Sequence, residues 1–99
     1  MSAVDQRGAL EAVERIINRG GAGPEVVRAV LEALHARGVP YAAVRSTGGE
    51  EIAVGPVADA SRAPIVTGAT VVGSLELAGG DDAFVHRVAT LISPYVSRE

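Results

Sequence analysis

The sequence predicts an α+β fold, a small antiparallel sheet of about four strands with two helices before it and one after it. Three observations carry this. Apolar residues recur at helical spacing near both ends of the chain. Between those ends lie short runs with strand-like alternation, rich in alanine or β-branched residues. Glycines stand between the runs at hairpin distances.

The first helix spans about residues 4–19. Leu10, Val13 and Ile17 form its stripe, Ile16 widens it, and Glu11, Glu14, Arg15 and Asn18 lie opposite. Gly20, Gly21, Ala22 and Gly23 then end the helix and make a hinge. This glycine run follows a helix rather than a strand and has no P-loop lysine, so it does not read as a phosphate cradle. The second helix spans about 24–37, with Pro24 at its first position, Glu25 near the positive end of the dipole and Gly38 after its last turn. Its stripe is Val27, Val30, Leu31 and Leu34. His35, near the C-terminus of this helix, reads as a boundary histidine.

Strands are expected at about 41–46 and 51–54, joined through Gly48 and Gly49, and at about 65–67 and 70–78, joined at Gly68-Ala69. Pro64 is expected to precede the third strand, where no ladder donor is needed. In the fourth strand Val71, Gly73, Leu75 and Leu77 share the apolar face, and Val72, Ser74 and Glu76 the other. The connection from Gly55 to Ala63 has no room for a helix and reads as an exposed loop. Asp81 or Asp82 caps the last helix, about 82–97, whose apolar face is Phe84, Val85, Val88, Leu91, Ile92 and Tyr95. Pro94 should bend or end it, and Asp82 with His86 is expected to form a local ion pair.

The chain of 99 residues reads as one domain. Apolar residues make up 47% of it, but many are alanine, and the aromatic residues are Tyr41, Phe84 and Tyr95. So thin a core predicts a homodimer that supplies the missing burial. A net charge of −3 with both signs interspersed argues against nucleic acid as the main partner. All nine cations are arginine, a composition that fits a GC-rich genome. The absence of cysteine excludes disulfides and thiolate chemistry. No run approaches a membrane span and no signal sequence is recognisable, so the expected location is the cytoplasm. The two histidines fall on different helices and no ligand spacing suggests a metal. The chain is therefore expected to be non-enzymatic, with no cofactor.

In its second half, "PIVTGATVVGSLEL" followed by "GGDDAFVHRVATLIS" resembles the GAF domain family, relatives of the PAS fold; Pro64, Gly68, Gly73, Leu75 and Phe84 carry the match. The resemblance implies a GAF/PAS-like sheet and a bacterial signal-transduction setting. GAF domains that enclose a ligand have helices and loops between the second and third strands, so this chain resembles a short, lid-less GAF-like domain. Bilin attachment and methionine sulfoxide reduction, which need cysteine, are excluded. The expected function is a signalling or regulatory module acting mainly through homodimerisation and contacts with a protein partner. The resemblance implies an interface of the first and last helices, with Leu10, Val13, Ile17, Val88, Leu91, Ile92 and Tyr95 as candidates. An alternative is a small-molecule sensor with a shallow ligand-binding site on the free sheet face, for which Tyr41, Arg45, Arg62 and Ser74 are candidates. In a GAF-like strand order the first and last strands are neighbours, which would let Arg45 and Glu76 pair instead. A second alternative is a roadblock-like regulatory domain, which expects a helix between the two hairpins.

Overall fold

A computed structural model describes residues 4–96. The elements run α1 (Gln6–Arg19), α2 (Gly23–Ala36), β1 (Ala42–Ser46), β2 (Glu51–Val54), β3 (Ser61–Thr67), β4 (Thr70–Leu77) and α3 (Asp82–Val96). The sheet order is β2-β1-β4-β3, and all neighbours are antiparallel. This is the α+β architecture expected, with β1 and β4 side by side at its centre.

The helices start where side chains satisfy free amides. Asp5 Oδ1 accepts from Gly8 N at 3.1 Å, and Asp81 Oδ1 accepts from Phe84 N at 2.8 Å. Both caps also tie distant segments together. Arg37 Nη1 lies 3.3 Å from Asp5 Oδ2, and Asp81 N donates to Gln6 Oε1 at 3.1 Å. α2 begins at Gly23, one residue earlier than expected, which puts Pro24 at its second position. There too the missing N–H costs no helical bond. α3 runs through Pro94 to Val96, so the proline does not end it there; residue 97, the expected last residue, lies outside the described residues.

All three helices lie on one side of the sheet. α2 packs on β1 and β2, α3 packs on β3 and β4, and α1 rests on α2 and α3 as an outer layer. The core between them holds Val13, Val30, Leu31, Leu34, Ile65, Leu75, Leu77, Val85, Val88 and Ile92, together with Phe84. A separate small cluster, Tyr41, Ala43 and Ala78, is buried on the opposite side of the sheet. The alternation of side chains along β1 explains the split, because Ala42 and Val44 point to the helices and Ala43 points away.

Three local expectations are corrected. β3 begins at Ser61, not after Pro64, so Pro64 sits inside a strand. It is tolerated because β3 is an edge strand. The connection between hairpins shrinks to residues 55–60, carries no helix, and passes from one edge of the sheet to the other. Finally, the β3·β4 register shifts between Ile65 and Val66, so that Ile65 faces Gly73 while Val66 faces Val71. The extra residue, Val72, makes a bulge that reverses the facing of the strand end. Val71 is therefore 52% exposed beside Val66, and Val72 packs against the core.

Candidate functional site

The open face of the sheet carries all four residues expected to bind a ligand, and its hydrogen-bond ladder fixes where each stands. Ser46 N donates to Glu50 O, which makes these two a bonded pair; alternate positions then assign Val44 with Ile52 and Ala42 with Val54 as bonded pairs. Ala43 and Arg45 consequently bond towards β4, opposite Glu76 and Ser74. Arg62 on β3 lies opposite Glu76 from the other side. The open face thus reads across the strands as Arg62, Glu76, Ala43 and Ala53, then Pro64, Ser74, Arg45 and Glu51.

The charged groups of this face satisfy one another. Arg62 donates to Glu76 Oε2 from Nε at 3.0 Å and from Nη2 at 2.6 Å. Arg45 Nη2 donates to Glu51 Oε2 at 3.0 Å. The expected Arg45–Glu76 pair is therefore replaced by two others. Register explains this: Glu76 stands opposite Ala43, one pair removed from Arg45, whereas Arg62 is directly across from it. Glu51 was missed as the partner of Arg45, although the two stand at equal distance either side of Gly48 and a hairpin closed at Ser46 and Glu50 places them opposite.

Tyr41 is buried beside these pairs at 4% exposure. Burial raises its phenol above the ordinary value of 10.0, and the negative charges of Glu76 and Glu51 raise it further. Arg45 acts in the opposite sense, and hydrogen bonding to Glu76 favours the neutral phenol. Burial and the neighbouring carboxylates thus favour the neutral phenol of Tyr41. Ser74 is half-buried between Pro64 and Arg45. The four candidates are brought onto one face, but both guanidinium groups are already engaged by protein carboxylates.

The concave features lie elsewhere. A cleft of about 50 Å³ is lined by Val27, Val44, Ile52, Tyr95 and Val96 among others. An open trough of about 530 Å³ runs beside β2, lined by Pro24, Glu25, Arg28, Glu50, Glu51 and Ile52. Pro24, Glu50 and Ile52 line both. The cleft is far below the roughly 300 Å³ at which ordinary ligand pockets begin. Among the described residues no group of three His, Asp or Glu side chains is placed to hold a metal ion, and no helix is long and apolar enough to cross a membrane.

The seven expected interface residues separate into two sets. Val13, Val88 and Ile92 are wholly buried in the chain's own core and offer no surface to a partner. Leu10, Ile17, Leu91 and Tyr95 are half-buried against the same core. The Tyr95 hydroxyl donates to Ile17 O at 3.3 Å, fastening α3 to α1. The stripe was correctly apolar, but most of its width is consumed where α1 rests on α2 and α3. His86 Nδ1 lies 2.8 Å from the Asp82 backbone carbonyl, so this contact uses the backbone in place of the expected carboxylate. His35 Nδ1 likewise lies 2.9 Å from Val39 O.

Comparisons with protein-family models, with curated proteins and with solved structures found no match to this chain.

Proposed function

We propose that this chain is a non-enzymatic, GAF-like signalling or regulatory module of the cytoplasm that acts through homodimerisation and contacts with protein partners. The observation that carries this is the mutual satisfaction of the open face. Arg62 is held by Glu76 and Arg45 by Glu51, so the charged side chains of this face pair with one another. A small-molecule site needs convergent polar groups left available in an enclosing pocket. A docking surface needs only a flat, internally satisfied face with a few apolar side chains, here supplied by Val66 and Val71 at 41% and 52% exposure. The six residues 55–60 between the hairpins carry no helix, which favours the lid-less GAF-like arrangement over the roadblock-like one.

Sedimentation equilibrium over a wide concentration range tests this. The expected result is a reversible monomer–dimer equilibrium with no bound small molecule by native mass spectrometry. A concentration-independent monomer that retains a small molecule would replace the regulatory dimer with the sensor.

A further inference from the structure

The two edges of the sheet are not equally protected. On β3 the outward-facing backbone belongs to Arg62 and Pro64, because Ala63 and Ile65 bond inward to Leu75 and Gly73. Pro64 offers no N–H, and beyond Ile65 the bulge at Val72 on β4 breaks the regular ladder. Proline and a nearby bulge are guards against a strand adding to an edge. On β2 the outward backbone belongs to Glu51 and Ala53, since Ile52 and Val54 bond inward to Val44 and Ala42. β2 has neither proline nor bulge, and the charge of Glu51 is offset by Arg45. Both residues are exposed, and among the described residues no strand pairs with this edge.

The space beside β2 fits the same event. The trough between α2 and β2 leaves room on the helix side of the strand, where Ile52 and Val54 are half-buried. Resting on the homodimer proposed above, we infer that the β2 edge is the dimer interface, pairing antiparallel with β2 of a second copy across a two-fold axis to make a continuous eight-stranded sheet.

Register and charge both select a second copy. With Ala53 on the axis, the outward N–H and C=O of each Ala53 bond to those of the other. Ile52 then stands opposite the partner's Val54 on the helix side, so each trough receives an apolar side chain. The same register keeps the two Glu51 side chains apart, whereas an axis at Glu51 would place like charges directly opposite. On α2 the trough wall carries both Glu25 and Arg28. A wall bearing both signs does not carry the like-charge repulsion that a single-sign wall would bring against a second copy of itself.

The test is Ala53→Pro, which removes an outward N–H and no internal ladder bond. The dimer dissociation constant should weaken by about tenfold or more, since symmetry removes two hydrogen bonds at once. Ala53→Glu should weaken it comparably by placing two carboxylates on the axis. Should either variant misfold by circular dichroism, amide exchange of the unaltered protein gives the same information. The Glu51 and Ala53 amides should slow as concentration carries monomer into dimer, while the outward Arg62 amide stays fast. An unchanged dimer in both folded variants, or amides at β2 that ignore concentration, overturns the edge interface and leaves homodimerisation standing. A monomer at every concentration overturns both.

Discussion

The two faces of the sheet differ in what they do with adjacent residues. Leu75 and Ser74 are neighbours on β4, yet Leu75 is wholly buried under the helices and Ser74 is half-buried on the open side. On the helix face the sheet contributes Ala63, Ile65, Leu75 and Leu77 to one continuous core. On the open face Arg45, Glu51, Arg62 and Glu76 are paired, Tyr41 is buried beside Ala43 and Ala78, and Val66 and Val71 stand exposed. The difference teaches that the large apolar core lies on one face, with only the small Tyr41, Ala43 and Ala78 cluster on the other, whose charged groups neutralise one another.

Substitutions at neighbouring positions should expose this difference. Leu75→Ala should cost about 3 kcal/mol in urea unfolding, because a fully buried leucine loses both transfer energy and packing. Ser74→Ala should change stability by less than about 0.5 kcal/mol. Equal losses would mean that the open face carries structural weight the geometry does not show. Gly73→Ala should fall between them, at roughly 1–3 kcal/mol, by overpacking. Its added Cβ would lie 2.5 Å from the Arg45 carbonyl oxygen, a backbone atom that cannot swing aside.

The helix face was the legible one. Stripes such as Val27, Val30, Leu31 and Leu34 report burial directly, and all four are in the core. The limits of β2 were also legible, since Gly49 (φ 95) on one side and Gly55 (φ 89) on the other break the chain sharply. What escaped was set by pairing between strands. Pro64 looked like a strand start because nothing local says that β3 is an edge, and Val71 looked buried because a bulge is a property of two strands. The ligand candidates shared a face, as alternation implies, but their partners depended on register. Arg45 chose Glu51 over Glu76 for that reason. The interface stripe divides differently: Val13, Val88 and Ile92 go to the chain's own core while Leu10, Ile17, Leu91 and Tyr95 keep some surface, because apolar spacing cannot say which positions a helix buries within its own chain.

Tyr41 offers a smaller and more specific test of the open face. Tyr41→Phe should change stability by no more than about 1 kcal/mol near neutral pH, because it removes a single hydroxyl and keeps the buried ring. Its titration adds a sign. The folded phenol lies above the unfolded value of 10.0, so its contribution is intact below pH 10 and is lost as pH rises from there through the folded value. Denaturant unfolding between pH 8 and about pH 11 should therefore show a decline in the unaltered protein that is shallower in Tyr41→Phe. Identical slopes would show that Tyr41 ionises as freely folded as unfolded, and so that the cluster with Ala43 and Ala78 does not shield it.

The two ion pairs give the finest comparison within that face. Arg45 and Glu51 have side chains 55% and 41% exposed and meet through a single bond at 3.0 Å. Arg62 is 65% exposed, but Glu76 is only 19% exposed and accepts from both Nε and Nη2. Solvent screens the first pair on both sides, while the second has one partly desolvated partner held by two donors. Double-mutant cycles using Gln at all four positions should give coupling of a few tenths of a kcal/mol for Arg45–Glu51 and about 1 kcal/mol for Arg62–Glu76. Added salt should erode the first pair proportionally more. If the order is reversed, Arg45 does more than neutralise its neighbour, and the candidate ligand site on the open face must be reconsidered around Arg45 and Ser74.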